Sequence, residues 1–259
     1  MSDQKRGHNT LSTDAKLAEF VNRMKEIAAT NLEAIILYGS AARGDFRPNH
    51  SDLNVLCVLG SLHVEELARV STVVRWWCVE QNESPPLFFT EQELRQSADV
   101  FSIEILDMQS SRRVLYGTDV IGDIKVPMNL HRLQIEHDLR TVVLKLRQHC
   151  VRAAGNAKEL TLVLRKSFSG VLVLLRHVVV AFGEESPMSS SDIIGRAASL
   201  TESNASAFYA ALKLRETGEL HGEIGPTFNA YLSALEKVIG ALDHHIPKQE
   251  WRRVKTANS

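Results

Sequence analysis

The reading of the chain turns on two stretches, Leu37-Tyr38-Gly39-Ser40 and Asp52-Leu53-Asn54-Val55-Leu56. The apolar run Ala34-Ile35-Ile36-Leu37-Tyr38 is short and bounded, which predicts a buried strand over 32–38. A strand that ends in Gly-Ser and gives way to a polar turn can hold a phosphate. Glycine lets the backbone approach, and the serine hydroxyl and nearby amides donate to oxygen. Asp52 and Asn54 then open a second strand, 53–59, at i and i+2. Residues two apart on a strand point to the same face. Two oxygen donors so placed can share a magnesium ion, which takes carboxylate, phosphate and water oxygens.

Outward from these strands, a helix begins after Ser12, whose hydroxyl is available as N-cap. Leu17, Phe20, Val21, Met24, Ile27 and Ala28 lie on one helical face. A second helix is expected over 61–81, with Val64, Leu67, Val70, Val74 and Trp77 as its inner stripe. Trp76 and Trp77, adjacent on that helix, should divide between core and surface. Pro85-Pro86 leads into a short strand, 87–89, and Thr90 with Glu93 forms a capping-box pattern. Residues 101–107 and 113–116 read as further strands. Beyond Pro127 the pattern is helical, with a break at Gly155-Asn156 and a segment over 157–182 that is apolar nearly all round. Ser189 to Ser191 before Asp192 reads as a helix cap. The expected layout is a flexible tail, 1–12; an α/β (α+β) domain with a mixed sheet, 13–127; an all-α helical bundle, 128–246; and a basic tail, 247–259.

The 259 residues carry 30 Lys+Arg against 31 Asp+Glu, a net charge of −1. That balance argues against a dedicated polyanion binder, and 44% hydrophobic residues argue against disorder. Acids concentrate in the first half, where residues 1–127 hold 13 Lys+Arg and 18 Asp+Glu. The run 171–182 is too short to span a membrane and is interrupted by Arg176 and His177, and no secretory signal opens the chain. Cys57, Cys78 and Cys150 are scattered among apolar neighbours, which predicts reduced thiols and a cytoplasmic protein.

The Gly39-Ser40 turn and the Asp52-x-Asn54 strand resemble the DNA polymerase β-like nucleotidyltransferase superfamily. The order of the two halves is similar to that of the aminoglycoside nucleotidyltransferases. The resemblance implies magnesium ions, held by three carboxylates, that bind a nucleoside triphosphate, ATP or another. An acceptor hydroxyl would attack the α-phosphate, and pyrophosphate would leave. Asp52 would be a metal ligand and catalytic carboxylate, with Asn54 as a second, neutral ligand. Glu104, or less favourably Glu83, would stand for the third carboxylate; Asp107 lies on the same segment as Glu104. Gly39, Ser40, Arg43 and Lys166 would hold the triphosphate, with Arg47 a further cation in the turn.

The family pattern has an acid where this chain has Asn54, and no acid lies on the strand 87–89. Two readings therefore stand. In one the protein transfers a nucleoside monophosphate to a hydroxyl of a small molecule or protein, with activity weakened by the missing charge. In the other it is an inactive module that binds nucleotide or a protein partner. Balanced charge disfavours nucleic-acid templates. A further reading makes the helical half a homodimer surface.

Overall fold

The computed structural model describes residues 12–43, 53–185 and 189–245, with the backbone alone for Ser40 and Arg43. The chain divides into two compact units, Met1–Val126 and Pro127–Ser259.

In the first unit, α1 (Thr13–Ala28) starts at Ser12, whose hydroxyl accepts from the Ala15 N–H at 3.3 Å. Its apolar face, Leu17, Phe20 and Met24, is buried. A mixed four-stranded sheet follows, in the order β3-β2-β1-β4. Its strands are β1 (Leu32–Tyr38), β2 (Asn54–Leu59), β3 (Leu87–Phe89) and β4 (Arg112–Gly117). The central strand β1 runs antiparallel to β2 and β4, and β2 runs parallel to β3. Both faces are covered, which explains why β1 and β2 are continuous apolar runs rather than alternating ones. One face packs Ile35, Leu37, Val55 and Cys57 under α1 and α3 (Val64–Arg75). The other packs Ile36, Leu56 and Val58 against α4 (Glu91–Gln96) and α5 (Ser102–Ser110).

The structure differs from the sequence-based expectation at two elements. Residues 101–107 are not a strand: α5 occupies Ser102–Ser110 and buries Ser102, Ile103, Ile105 and Met108. The alternation of Phe101, Ile103 and Ile105 imitated a strand, but Phe101 is 44% exposed and the buried spacing is helical. The inner stripe of α3 also differs, since Val64 and Leu67 are exposed and Val70, Val73, Trp76 and Trp77 are buried. Val70, Val73 and Trp77 still keep regular helical spacing, and a wider, π-helical winding over Trp76–Glu80 accompanies the burial of both indoles. Trp77 meets Phe20 at 4.7 Å between ring centroids, and its Nε1 donates to the Ser84 carbonyl at 3.0 Å. The Thr90 capping box is present in full, with α4 beginning at Glu91.

The second unit is helical among its described residues. It comprises α6 (Met128–Ala153), α7 (Ala157–Ala181), α8 (Ser190–Thr201), α9 (Ala205–Thr217) and α10 (Ile224–His244). Asn156 caps α7, accepting from the Lys158 and Glu159 N–H groups, and Ser189 caps α8. The helix α7 packs against all four others. It is less uniformly buried than its apolar sequence suggests, because Leu162 and Val173 stand on an exposed side. No helix among the described residues is long and apolar enough to cross a membrane. The three cysteines are free, with Cys57 buried and Cys78 and Cys150 half-buried.

Candidate functional site

The backbone turns sharply where β1 ends. Gly39 takes φ +79°, a left-handed conformation that side chains disfavour. A Cβ at Gly39 would stand 3.1 Å from Nδ2 of Asn54, a tight approach that the amide would have to yield to by a few tenths of an ångström. Three hydrogen bonds fix its peptide. The Gly39 N–H donates to the Ser111 carbonyl at 3.1 Å, the Ser111 hydroxyl donates to the Gly39 carbonyl at 2.8 Å, and the Ala42 N–H donates to that same carbonyl at 3.1 Å. From this anchored peptide the chain enters a four-residue helix, α2 (Ser40–Arg43), where a loop was expected.

Asn54 opens β2 directly opposite Tyr38 in the antiparallel ladder. Strand alternation puts Asn54 on the sheet face that carries Tyr38, Ile36, Leu56 and Val58, the face covered by α5. Glu104 is exposed and Asp107 half-buried on that helix. Both carboxylates act on Tyr38. Its phenol is pushed up to about 12, first by burial and then by the negative charge of Glu104 and Asp107. Asn54, Tyr38, Glu104 and Asp107 thus gather at one end of one sheet face. Among the described residues, no group of three His, Cys, Asp or Glu side chains is placed to hold a metal ion.

This grouping predicts a titration. Following phenolate absorbance by difference between the unmodified protein and Tyr38→Phe should give a midpoint near 12. Glu104→Gln should lower that midpoint, because one charge opposing the phenolate is gone. The raised value also makes the folded state lose stability as pH rises from 10.0 through about 12, with no loss below that window. A midpoint unmoved by Glu104→Gln would remove Glu104 from the neighbourhood of Tyr38.

Glu83 has a different occupation. Its Oε1 receives the Lys16 ammonium at 2.9 Å, and its Oε2 accepts from the Leu53 N–H at 3.1 Å. Lys16 and Glu83 side chains are 14% and 7% exposed. The carboxylate therefore ties α1 to the entry of β2, leaving Glu83 poorly placed to serve a metal. An open groove of about 500 Å³ lies beside the Gly39 turn. Ala42, Gln109, Ser110, Ser111, Arg112, Val114 and Asp119 line it, with Arg112 paired to Asp119 at 2.7 Å. That pairing holds the Asp119 carboxyl below its ordinary range.

Asp52 and Arg47 lie outside the described residues, as do the side chains of Ser40 and Arg43. Lys166 is exposed on α7 of the second unit. The sequence reading assigned no role to Tyr38 or Ser111. Only the position of Ser111 directly after the acid-bearing segment offered a signal.

No curated protein matches the chain. Among solved structures, spectinomycin adenyltransferase AAD(9) from Enterococcus faecialis, solved with ATP and spectinomycin, aligns with a TM-score of 0.47 at 15% identity. The alignment covers 87% of this chain and 98% of that one. The model of the nucleotidyltransferase domain family matches residues 16–168, a span that includes the sheet, the Gly39 turn, Asn54 and α5. Since that span is more than half of the sequence, the chain belongs to the nucleotidyltransferase domain family.

Proposed function

We propose that the first unit transfers a nucleoside monophosphate from a magnesium-bound nucleoside triphosphate, ATP in the first instance, to a hydroxyl of a small molecule or protein. The observation that carries the reading is the assembly at the end of β1: the anchored Gly39 turn, Asn54 against it, and the Glu104 and Asp107 carboxylates beside Tyr38. The donor chemistry fits magnesium, since amide and carboxylate oxygens are hard ligands. Asp52 and Asn54 would hold it, at one charge less than two strand carboxylates would supply. When bound, magnesium stabilises negative charge on the attacking and leaving oxygens.

The chain's own groups do the rest. Gly39, Ser40 and Arg43 hold the triphosphate, guanidinium being well suited to phosphate oxygens. Glu104, exposed and therefore open to an acceptor, takes the proton from the attacking hydroxyl. A bond forms between the acceptor oxygen and the α-phosphorus, the bond to the bridging oxygen breaks, and pyrophosphate leaves. The neutral Asn54 supports a second reading, an inactive module that binds nucleotide without turnover.

Calorimetric titration with ATP, with and without magnesium, tests the proposal. Affinity should require magnesium, and Asp52→Ala should weaken it roughly tenfold, about 1.4 kcal/mol. Binding that needs neither magnesium nor Asp52 would sink the metal-site assignment. Pyrophosphate release over a panel of hydroxyl acceptors separates the enzyme from the inactive module.

A further inference from the structure

We infer that Ser111 is a positioning residue for the nucleotide, acting through the Gly39-Ser40 turn that it holds. The inference rests on the proposed role of that turn in phosphate binding. Ser111 is 7% exposed, yet its hydroxyl is spent on the Gly39 carbonyl at 2.8 Å while its own carbonyl receives the Gly39 N–H at 3.1 Å. The second of these bonds merely continues the pairing of β1 with β4, whose last partners are Tyr38 and Arg112. The first is additional. It fixes the carbonyl of a residue whose left-handed conformation sets the direction in which the following amides point.

The place of Ser111 in the chain gives that bond its reach. It is the single residue between the end of α5 at Ser110 and the start of β4 at Arg112. One side chain therefore ties the helix bearing Glu104 and Asp107 to the turn bearing Gly39 and Ser40. Ser111 also lines the groove beside that turn. Losing the hydroxyl leaves the Gly39 carbonyl with the Ala42 N–H and frees the turn to drift from the acids.

The test compares the unmodified protein, Ser111→Ala and Ser111→Thr, at a temperature where circular dichroism shows all three folded. Threonine keeps the hydroxyl. Amide hydrogen exchange reads the turn without nucleotide, and magnesium-ATP calorimetry reads its consequence. In Ser111→Ala the Gly39 and Ala42 amides should exchange about tenfold faster while the Ile36 amide is unchanged, with magnesium-ATP affinity down about tenfold. Ser111→Thr should restore both to within about twofold. Unchanged Gly39 exchange in Ser111→Ala overturns the holding role. Faster exchange with unaltered ATP affinity overturns the positioning role, as does equal weakening in the alanine and threonine variants. If the unmodified protein has no affinity for ATP, the nucleotide reading fails and the positioning role falls with it. The exchange data then still show whether Ser111 holds the turn.

Discussion

Asn54→Asp should raise pyrophosphate release from magnesium-ATP by on the order of 100-fold. Two unit charges 4 Å apart interact by about 4 kcal/mol at an effective dielectric near 20, and tenfold in rate corresponds to about 1.4 kcal/mol. Desolvation of the new carboxylate consumes part of that gain, so the expected factor is below the thousandfold ceiling. Geometry favours the exchange: aspartate has the shape of asparagine, and Gly39, with no Cβ, leaves the side chain at 54 its space. The cost falls on the protein without metal. A carboxylate at 54 adds charge two residues from Asp52 and opposite Tyr38, whose phenol already feels Glu104 and Asp107, so the variant should be less stable in chelator and recover in magnesium. Rapid turnover by the unmodified chain, unimproved in Asn54→Asp, would show that the missing charge does not limit the site.

Gly117→Ala should destabilise the first unit by roughly 3 kcal/mol or more, read by urea unfolding. Gly117 closes β4 with φ +75°, and a Cβ there would lie 2.0 Å from the Glu33 carbonyl oxygen and 3.0 Å from the Ala34 Cα. Both are backbone atoms, so no rotamer change relieves the clash. The end of the β1–β4 ladder, where Gly117 pairs with Ala34, must open instead. A loss under about 1 kcal/mol would mean that the ladder end gives way cheaply.

The sequence disclosed what depends on neighbours in the chain. The Ser12 cap, the Thr90 capping box and the apolar run of β1 are local signals, and each element stands where its signal lies. The first half of α5 resisted because Phe101, Ile103 and Ile105 alternate as in a strand, and the buried Ser102 does not register as apolar. Along α3, the 3.6-residue period found Val70 and Trp77, but it carried the stripe back to Val64 and Leu67, which are exposed, and it gave no sign of the π-helical winding that begins at Trp76. The site divides in the same way. Gly39 and Asn54 were legible as part of a motif, whereas the hydroxyl of Ser111 meets Gly39 across 72 positions and the Lys16 ammonium meets Glu83 across 67. No period or spacing encodes such pairings; the fold has to bring them together.

The π-helical winding after α3 has a practical consequence. It sets Trp76 and Trp77 both inside the first unit, with the Arg23 guanidinium 4.3 Å over the Trp76 ring. The chain has three tryptophans, and none lies among the described residues of the second unit. The third, Trp251, lies outside the described residues, so in a Trp251→Phe background intrinsic fluorescence is a gauge of the sheet-bearing half, while far-ultraviolet circular dichroism is weighted toward the long helices of the other. Recorded together through one denaturant series, the two signals would show whether the halves melt as one cooperative block or in succession.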